Sequence, residues 1–326
     1  MIAAHTVPED GGEAVWDGRS SVLFALVAGI SLGLISGGSA RSRSARVVAL
    51  RALLLIVLGI GLTLLETPIA IILDSYGLLF AVSIPLLFAP RWLLGVVAAV
   101  AAVAGPWLVT ILTAGVDAAS GDVARLLQSP WAYFPEAWLY GVYPAPVWLA
   151  YVATGILIAR CDLRRPRTQA GMLVIGGVLA AAGYLGALLG GAPVEAHSNT
   201  TSEVVATGGL AVAITGLLLL VLSPGAARGR QVTRTIARPL AAAGSMPLTL
   251  YSAQIIAIAI IVRLSPAGSD GLDWQATPLF FALAVPAVVF ASVWSLRFSQ
   301  GPLEWLVSRL STQRPWRAPR STGAQH

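Results

Sequence analysis

The sequence predicts an all-α polytopic membrane protein, and three observations carry that prediction. The 326-residue chain is 56% hydrophobic and only 11% charged, whereas soluble domains carry about 25% charged residues. Its apolar residues fall in runs close to the roughly 20 residues that a helix needs to cross a bilayer. Its 21 basic residues are all arginine, and they are sorted between those runs. Eighteen lie in five clusters: Arg41, Arg43, Arg46 and Arg51; Arg91; Arg160, Arg164, Arg165 and Arg167; Arg228, Arg230, Arg234 and Arg238; and Arg297, Arg309, Arg314, Arg317 and Arg320. The alternate connections hold nearly all the acids, with Arg19, Arg125 and Arg263 as their only bases. A bilayer sorts arginine in this way because positive loops stay on the cytoplasmic side.

Nine apolar segments are candidate spans: 20–38, 47–65, 69–88, 92–114, 145–160, 170–190, 204–222, 241–264 and 277–297. The first two flank the Arg41 cluster. The third contains Asp74, which marks either a broken helix near the outer face or a carboxylate turned into a cavity. The fourth begins at Arg91 and leads to the longest outer connection, 115–144, rich in tryptophan and tyrosine. Those aromatics suit either an interfacial belt or stacking on a sugar ring. The fifth span is short, with Pro144, Pro146 and Trp148 at its outer edge. The sixth and seventh enclose a polar loop, Glu195–Glu203. The eighth carries Ser245, Thr249, Tyr251, Ser252 and Gln254, and the ninth ends at Arg297.

Nine crossings place every arginine cluster inside and the N-terminus outside. Met1–His5 then reads as the outer end of a helix, and an upstream apolar segment preceded by arginine is expected. Residues 302–310 put Leu303, Leu306, Val307 and Leu310 on one helical face, as an amphipathic helix on the inner surface would. Residues 1–312 form a single transmembrane domain in this reading, and 313–326 a disordered cytoplasmic tail.

Composition also excludes several functions. A net charge of +6 is dispersed over loops with no basic stripe interleaved with aromatics, so no nucleic-acid partner is indicated. Without lysine there is no Schiff-base chemistry. One cysteine, Cys161, allows neither an intrachain disulfide nor a cysteine metal site. With only three histidines in the chain, no metal is expected.

Polar groups at membrane depth or at helix mouths are the site candidates. His197, between Glu195 and Glu203, can act as a general base or simply be solvated. His5 lies close in sequence to Asp17, Arg19 and Ser20 at the mouth of the next helix, where an imidazole can deprotonate a hydroxyl or amine. Thr249, Tyr251 and Gln254 can line a cavity, while small hydroxyls also serve as glue between helices. Arg160 and Asp162 form an ion pair at an inner helix end, in the plainest reading.

Several segments resemble a known family. Trp16-Asp17-Gly18-Arg19-Ser20-Ser21-Val22-Leu23-Phe24 leading into Val27-Ala28-Gly29 resembles the signature of bacterial YeiB-like membrane proteins, which are related to the catalytic domain of heparan-α-glucosaminide N-acetyltransferase. Tyr143-Pro144 with Trp148, Ala159-Arg160-Cys161-Asp162-Leu163, Gly244–Tyr251 and Gly301-Pro302-Leu303-Glu304-Trp305 extend the likeness over nearly the whole chain.

The resemblance implies a membrane acyltransferase that takes an acetyl group from cytoplasmic acetyl-CoA and delivers it to a sugar or glycolipid outside. It implies a catalytic histidine between the first two family helices, where His5 stands, with His197 as the other candidate. Asp17, Arg19, Ser20, Glu203, Thr249, Tyr251 and Gln254 are then the substrate-binding candidates, and Arg160 the candidate for the CoA phosphates. Many relatives carry histidine at Gln254, so hydrogen bonding to substrate is the role left for the amide. The expected setting is the bacterial cytoplasmic membrane, with lipids as partners and room for a homo-oligomer. Two other readings stand beside this one: a transporter or flippase acting through Asp74 and Arg263, and a non-catalytic scaffold.

Overall fold

The computed structural model describes residues 1–7, 18–36, 41–114, 127, 129–191, 194–222, 228–264 and 276–312. The expected tail, Asp17 and most of the 115–128 connection lie outside the described residues. Among those described, every regular element is helical: α1 Ile2–Thr6, α2 Arg19–Ser36, α3 Arg41–Thr63, α4 Leu73–Val82, α5 Arg91–Thr113, α6 Pro130–Tyr140, α7 Ala145–Ala159, α8 Pro166–Gly190, α9 Thr201–Leu222, α10 Arg228–Gly244, α11 Pro247–Leu264, α12 Thr277–Ser295 and α13 Pro302–Thr312. Seven are long and apolar enough to cross a membrane, and an eighth span results if α6 and α7, bent by 57° at their joint, count as one. The chain is an all-α multi-pass membrane protein.

Local chemistry explains the boundaries. Proline occupies the first or second position of α6, α7, α8 and α12, where its missing N–H costs nothing and its fixed φ suits the helix. Gly191, at φ 66°, closes α8 in the left-handed conformation and returns its N–H to Ala187.

Two expected spans differ in detail. The segment 69–88 is a ten-residue helix followed by a short 3-10 helix, Pro85–Phe88, because Pro85 cannot continue the α4 hydrogen-bond ladder. The segment 241–264 begins as a helix only at Pro247, since residues 241–244 finish α10 and proline disfavours helical backbone just before it.

The chain divides into two compact units. One comprises Glu9–Glu66 and Ala70–Ser223 with Met1; the other comprises Ile2–Pro8, Thr67–Ile69 and Pro224–His326. In the first unit α2 packs on α7, α3 on α4, α5 on α7 and α8 on α9. Glycines let these backbones touch: a methyl group on Gly29 would strike the Val152 carbonyl, and one on Gly155 the Leu26 carbonyl. Gly176, Gly183 and Gly209 do the same between α8 and α9, as small-residue seams do where lipid offers no hydrophobic drive between helices. Large side chains such as Trp92 and Trp107 of α5 lie on the outer surface at 69% and 68% exposure, as a lipid-facing helix requires.

One end of the first unit collects arginine. The Arg41 guanidinium lies 5.6 Å from the Phe88 ring, and Arg91 donates to the Arg160 carbonyl. In the second unit α10 packs on α12, α1 on α12, and α11 on α13. The expected amphipathic helix is α13, where Arg309 lies 5.2 Å from the Trp305 ring and Leu306 and Leu310 stay exposed.

Candidate functional site

The end of the first unit opposite the arginines is built around His197. The loop 194–200 connects α8 to α9, and its shape is dictated by Glu203, which is 5% exposed. The Glu203 carboxylate accepts the N–H of His197 at 2.9 Å, the N–H of Asn199 at 2.6 Å and the Ser198 hydroxyl at 3.1 Å. Thr200 caps α9 by accepting the Glu203 N–H at 3.0 Å. These bonds hold two non-glycine residues in left-handed backbone, His197 at φ 63° and Asn199 at φ 50°.

The His197 ring stands on buried aromatics. Trp148 of α7 lies parallel to it at 6.2 Å, and Tyr143 meets it edge-on at 5.1 Å. Tyr143 also meets Trp148 edge-on at 5.2 Å, and Tyr76 of α4 meets Trp148 edge-on at 6.4 Å. The Tyr76 hydroxyl donates to the Ser21 carbonyl at 3.0 Å, tying in the start of α2. A methyl group on Gly18, which has φ 62°, would come within 2.7 Å of Ala196 Cβ, so the Gly18–Ser21 motif packs directly on the histidine loop.

Asp74 lies in the first turn of α4, 5% exposed, and accepts the Trp138 indole N–H at 3.1 Å. It is thus both inside a broken helix and buried. Tyr143, in the connection ahead of α7, has its phenol pushed up to about 12 by burial and then by the Asp74 charge. A cavity of about 520 Å³ adjoins this cluster, bounded by α5, the end of α6 and the His197 loop.

The second unit holds the other candidates. His5 Nδ1 of α1 lies 2.9 Å from Gln254 Nε2 of α11, 249 residues away in sequence. Gln254 and Tyr251 are buried. Thr249 is engaged with Glu304 instead of a cavity. Its hydroxyl donates to Glu304 Oε2 at 2.5 Å and accepts the Leu303 N–H at 3.0 Å. Glu304 Oε1 takes the N–H groups of Leu248 and Thr249 at 2.6 and 3.0 Å, which satisfies two orphan donors of the α11 terminus.

The remaining candidates are placed as follows. Arg19 donates to the Tyr184 hydroxyl at 3.1 Å, and Ser20 lies half-buried beside it in α2. Arg160 donates to the Leu87 carbonyl, while its buried Nε has no partner among the described residues. Asp162 pairs with Arg165 at 2.9 Å, not with Arg160 as expected. Arg160 faces the backbone of the 3-10 helix because a guanidinium there satisfies a carbonyl left open by the helix break.

Sequence reasoning missed the structural duty of Glu203 and Glu304. The signal for the first was present, because Thr200-Thr201-Ser202-Glu203 is a capping-box pattern.

No curated protein and no solved structure matches this chain. Residues 158–314, from the end of α7 through α13, match the family described as a protein of unknown function (DUF418).

Proposed function

We propose that this protein is an acyltransferase of the bacterial cytoplasmic membrane, moving an acetyl group from cytoplasmic acetyl-CoA to a sugar or glycolipid acceptor outside. The observation that supports this reading best is the His5–Gln254 pair. An imidazole clamped by a buried amide is held in one orientation, as a general base must be. As placed, the Gln254 Nε2–H donates to His5 Nδ1, which leaves the ring proton on Nε2. The amide turned over, with Oε1 toward Nδ1, holds the proton on Nδ1 and makes Nε2 the basic atom. Which amide atom faces the ring is set by the hydrogen-bond network.

In this reading the amide is turned over and His5 Nε2 takes the proton of an acceptor hydroxyl or amine. The acceptor oxygen or nitrogen attacks the thioester carbonyl, the tetrahedral adduct collapses, and the CoA thiolate leaves and is reprotonated. Tyr251 stands one turn from Gln254 and is suited to steady the oxyanion. Arg160, which donates to the Leu87 carbonyl, and the other arginines of the inner clusters are the candidates for the CoA phosphates. The DUF418 match is consistent with the YeiB-like resemblance on which the enzyme class rests.

Membranes carrying the protein, incubated with radiolabelled acetyl-CoA and envelope glycans and lipids, test the reading. Label in a glycan or glycolipid that disappears with His5→Ala supports it. The absence of CoA turnover with any acceptor overturns it. The buried Asp74 in the broken α4 favours a second reading, transport of a small or lipid-linked solute. That reading expects solute movement without CoA consumption, lost in Asp74→Asn.

A further inference from the structure

We propose that the cavity beside His197 is a carbohydrate subsite that takes an uncharged pyranose ring. Its volume of about 520 Å³ lies within the range of about 300–1,000 Å³ usual for small-molecule sites. Its polar walls are Thr110 and Thr113 of α5, Tyr140 of α6, and His197, Ser198 and Asn199 of the loop. Among the described residues, no arginine, aspartate or glutamate lines it.

The hydrogen-bonding sense of these walls selects the ligand. The Thr110 hydroxyl donates to the Pro106 carbonyl at 3.0 Å and the Thr113 hydroxyl to the Val109 carbonyl at 2.9 Å. Asn199 Nδ2 donates to the His197 carbonyl at 3.0 Å. The two threonine hydroxyls have spent their protons on the backbone and can only accept, whereas Asn199 keeps a second N–H and Tyr140 a hydroxyl that can donate. A wall of uncharged groups that both accept and donate suits a ring of hydroxyls, which does the same. An anionic sugar brings a charge that meets no cation among the described residues of the lining. Pro106, Val109 and Val142 supply apolar surface for the C–H face of the ring.

The site is also preformed, since Glu203 fixes the loop and Trp148 and Tyr143 fix the imidazole. His197 is here a binding wall, distinct from the base His5. The inference rests on the acyl-transfer reading for the fate of the sugar, whereas binding itself needs no CoA.

The test uses the full chain in lipid nanodiscs, with no CoA present. Methyl β-glucopyranoside, methyl β-galactopyranoside and methyl α-mannopyranoside are compared with methyl β-glucopyranosiduronate by saturation-transfer NMR and calorimetric titration. At least one neutral glycoside is expected to bind saturably and the uronate to bind at least tenfold more weakly. Thr113→Val, nearly isosteric, and Asn199→Ala should each weaken neutral binding about tenfold, equivalent to about 1.4 kcal/mol. Thermal unfolding should be unchanged in Thr113→Val and lowered in Asn199→Ala, which puts alanine in left-handed backbone. No saturable binding of any neutral glycoside, equal binding of the uronate, or undiminished binding in both variants would overturn the proposal. Binding without acetyl transfer would leave this subsite standing while the acyl-transfer reading fails, and transfer without binding here would do the reverse.

Discussion

Glu304 and Thr249, 55 residues apart, lock two helix ends together through a hydroxyl–carboxylate bond of 2.5 Å. The same carboxylate caps α11, and the same hydroxyl accepts from the start of α13. Gly301 permits the approach, because a methyl group there would strike the Glu304 carboxylate and come within 2.5 Å of Met246 Cβ. The two motifs Gly244–Tyr251 and Gly301–Trp305 are therefore one joint seen from its two sides.

Replacing Thr249 by Val keeps the shape but leaves a carboxylate oxygen and the Leu303 N–H without that partner. Unsatisfied buried groups cost about 1–3 kcal/mol each, and these half-buried ones less. Thr249→Val and Glu304→Gln should each lower the unfolding midpoint in detergent, and Thr249→Ser should restore most of it. An unchanged melting curve in Thr249→Val would remove the joint from the stability of the second unit.

The loop carrying His197 makes a similar prediction. Thr200→Ala removes the α9 N-cap and should cost about 1 kcal/mol. Glu203→Ala orphans three donors at once and should cost more, in the range of about 2 kcal/mol or above. Amide exchange of residues 197–199 should accelerate in Glu203→Ala well beyond its rate in Thr200→Ala. Equal rates in the two variants would mean that the helix cap alone shapes the loop.

Much of the fold was legible because a bilayer imposes strong rules. Length, apolarity and arginine sorting located the helices, and the 302–310 pattern located α13. What was not legible depends on tertiary partners. Pro85 announced a helix break, but nothing in a linear reading says that Asp74 receives an indole N–H from Trp138. Thr249 shows the same asymmetry. A hydroxyl one turn into a helix looks like a cavity lining until Glu304 is found against it. His197 was singled out for its flanking carboxylates, yet it is the aromatic bed of Trp148 and Tyr143 that holds its ring, and no spacing rule reports that. The His5–Gln254 contact joins two separately chosen candidates across 249 residues, although their pairing with each other was not foreseen.

Tyr143 gives a prediction in pH. Its phenol is raised from the ordinary 10.0 to about 12 by burial and by Asp74, so the folded state holds this proton more tightly than the unfolded chain. That contribution to stability is complete below pH 10 and is lost as pH rises through about 12. Ultraviolet titration should place Tyr143 in a late tyrosinate step. Tyr143→Phe should remove one phenol from that step and leave the ordinary step unchanged, and Asp74→Asn should move it to lower pH. A late step that persists in full in Tyr143→Phe would refute the assignment.

The His5–Gln254 pair separates a base from a merely structural histidine. His5→Ala should lower acetyl transfer by about 10²–10⁴, the usual contribution of a positioned acid or base. Gln254→Leu leaves the imidazole in place but frees its orientation, and misplacement on that scale costs up to about 100-fold. Gln254→Glu gives the sharper readout. A carboxylate beside Nδ1 stabilises the protonated ring, so the acid limb of the pH–rate profile should move to higher pH while the alkaline limb stays. A structural histidine would show lost stability in these variants with no displacement of either limb. If Gln254→Glu folds normally and keeps the wild-type profile, His5 is not the group that takes the acceptor's proton.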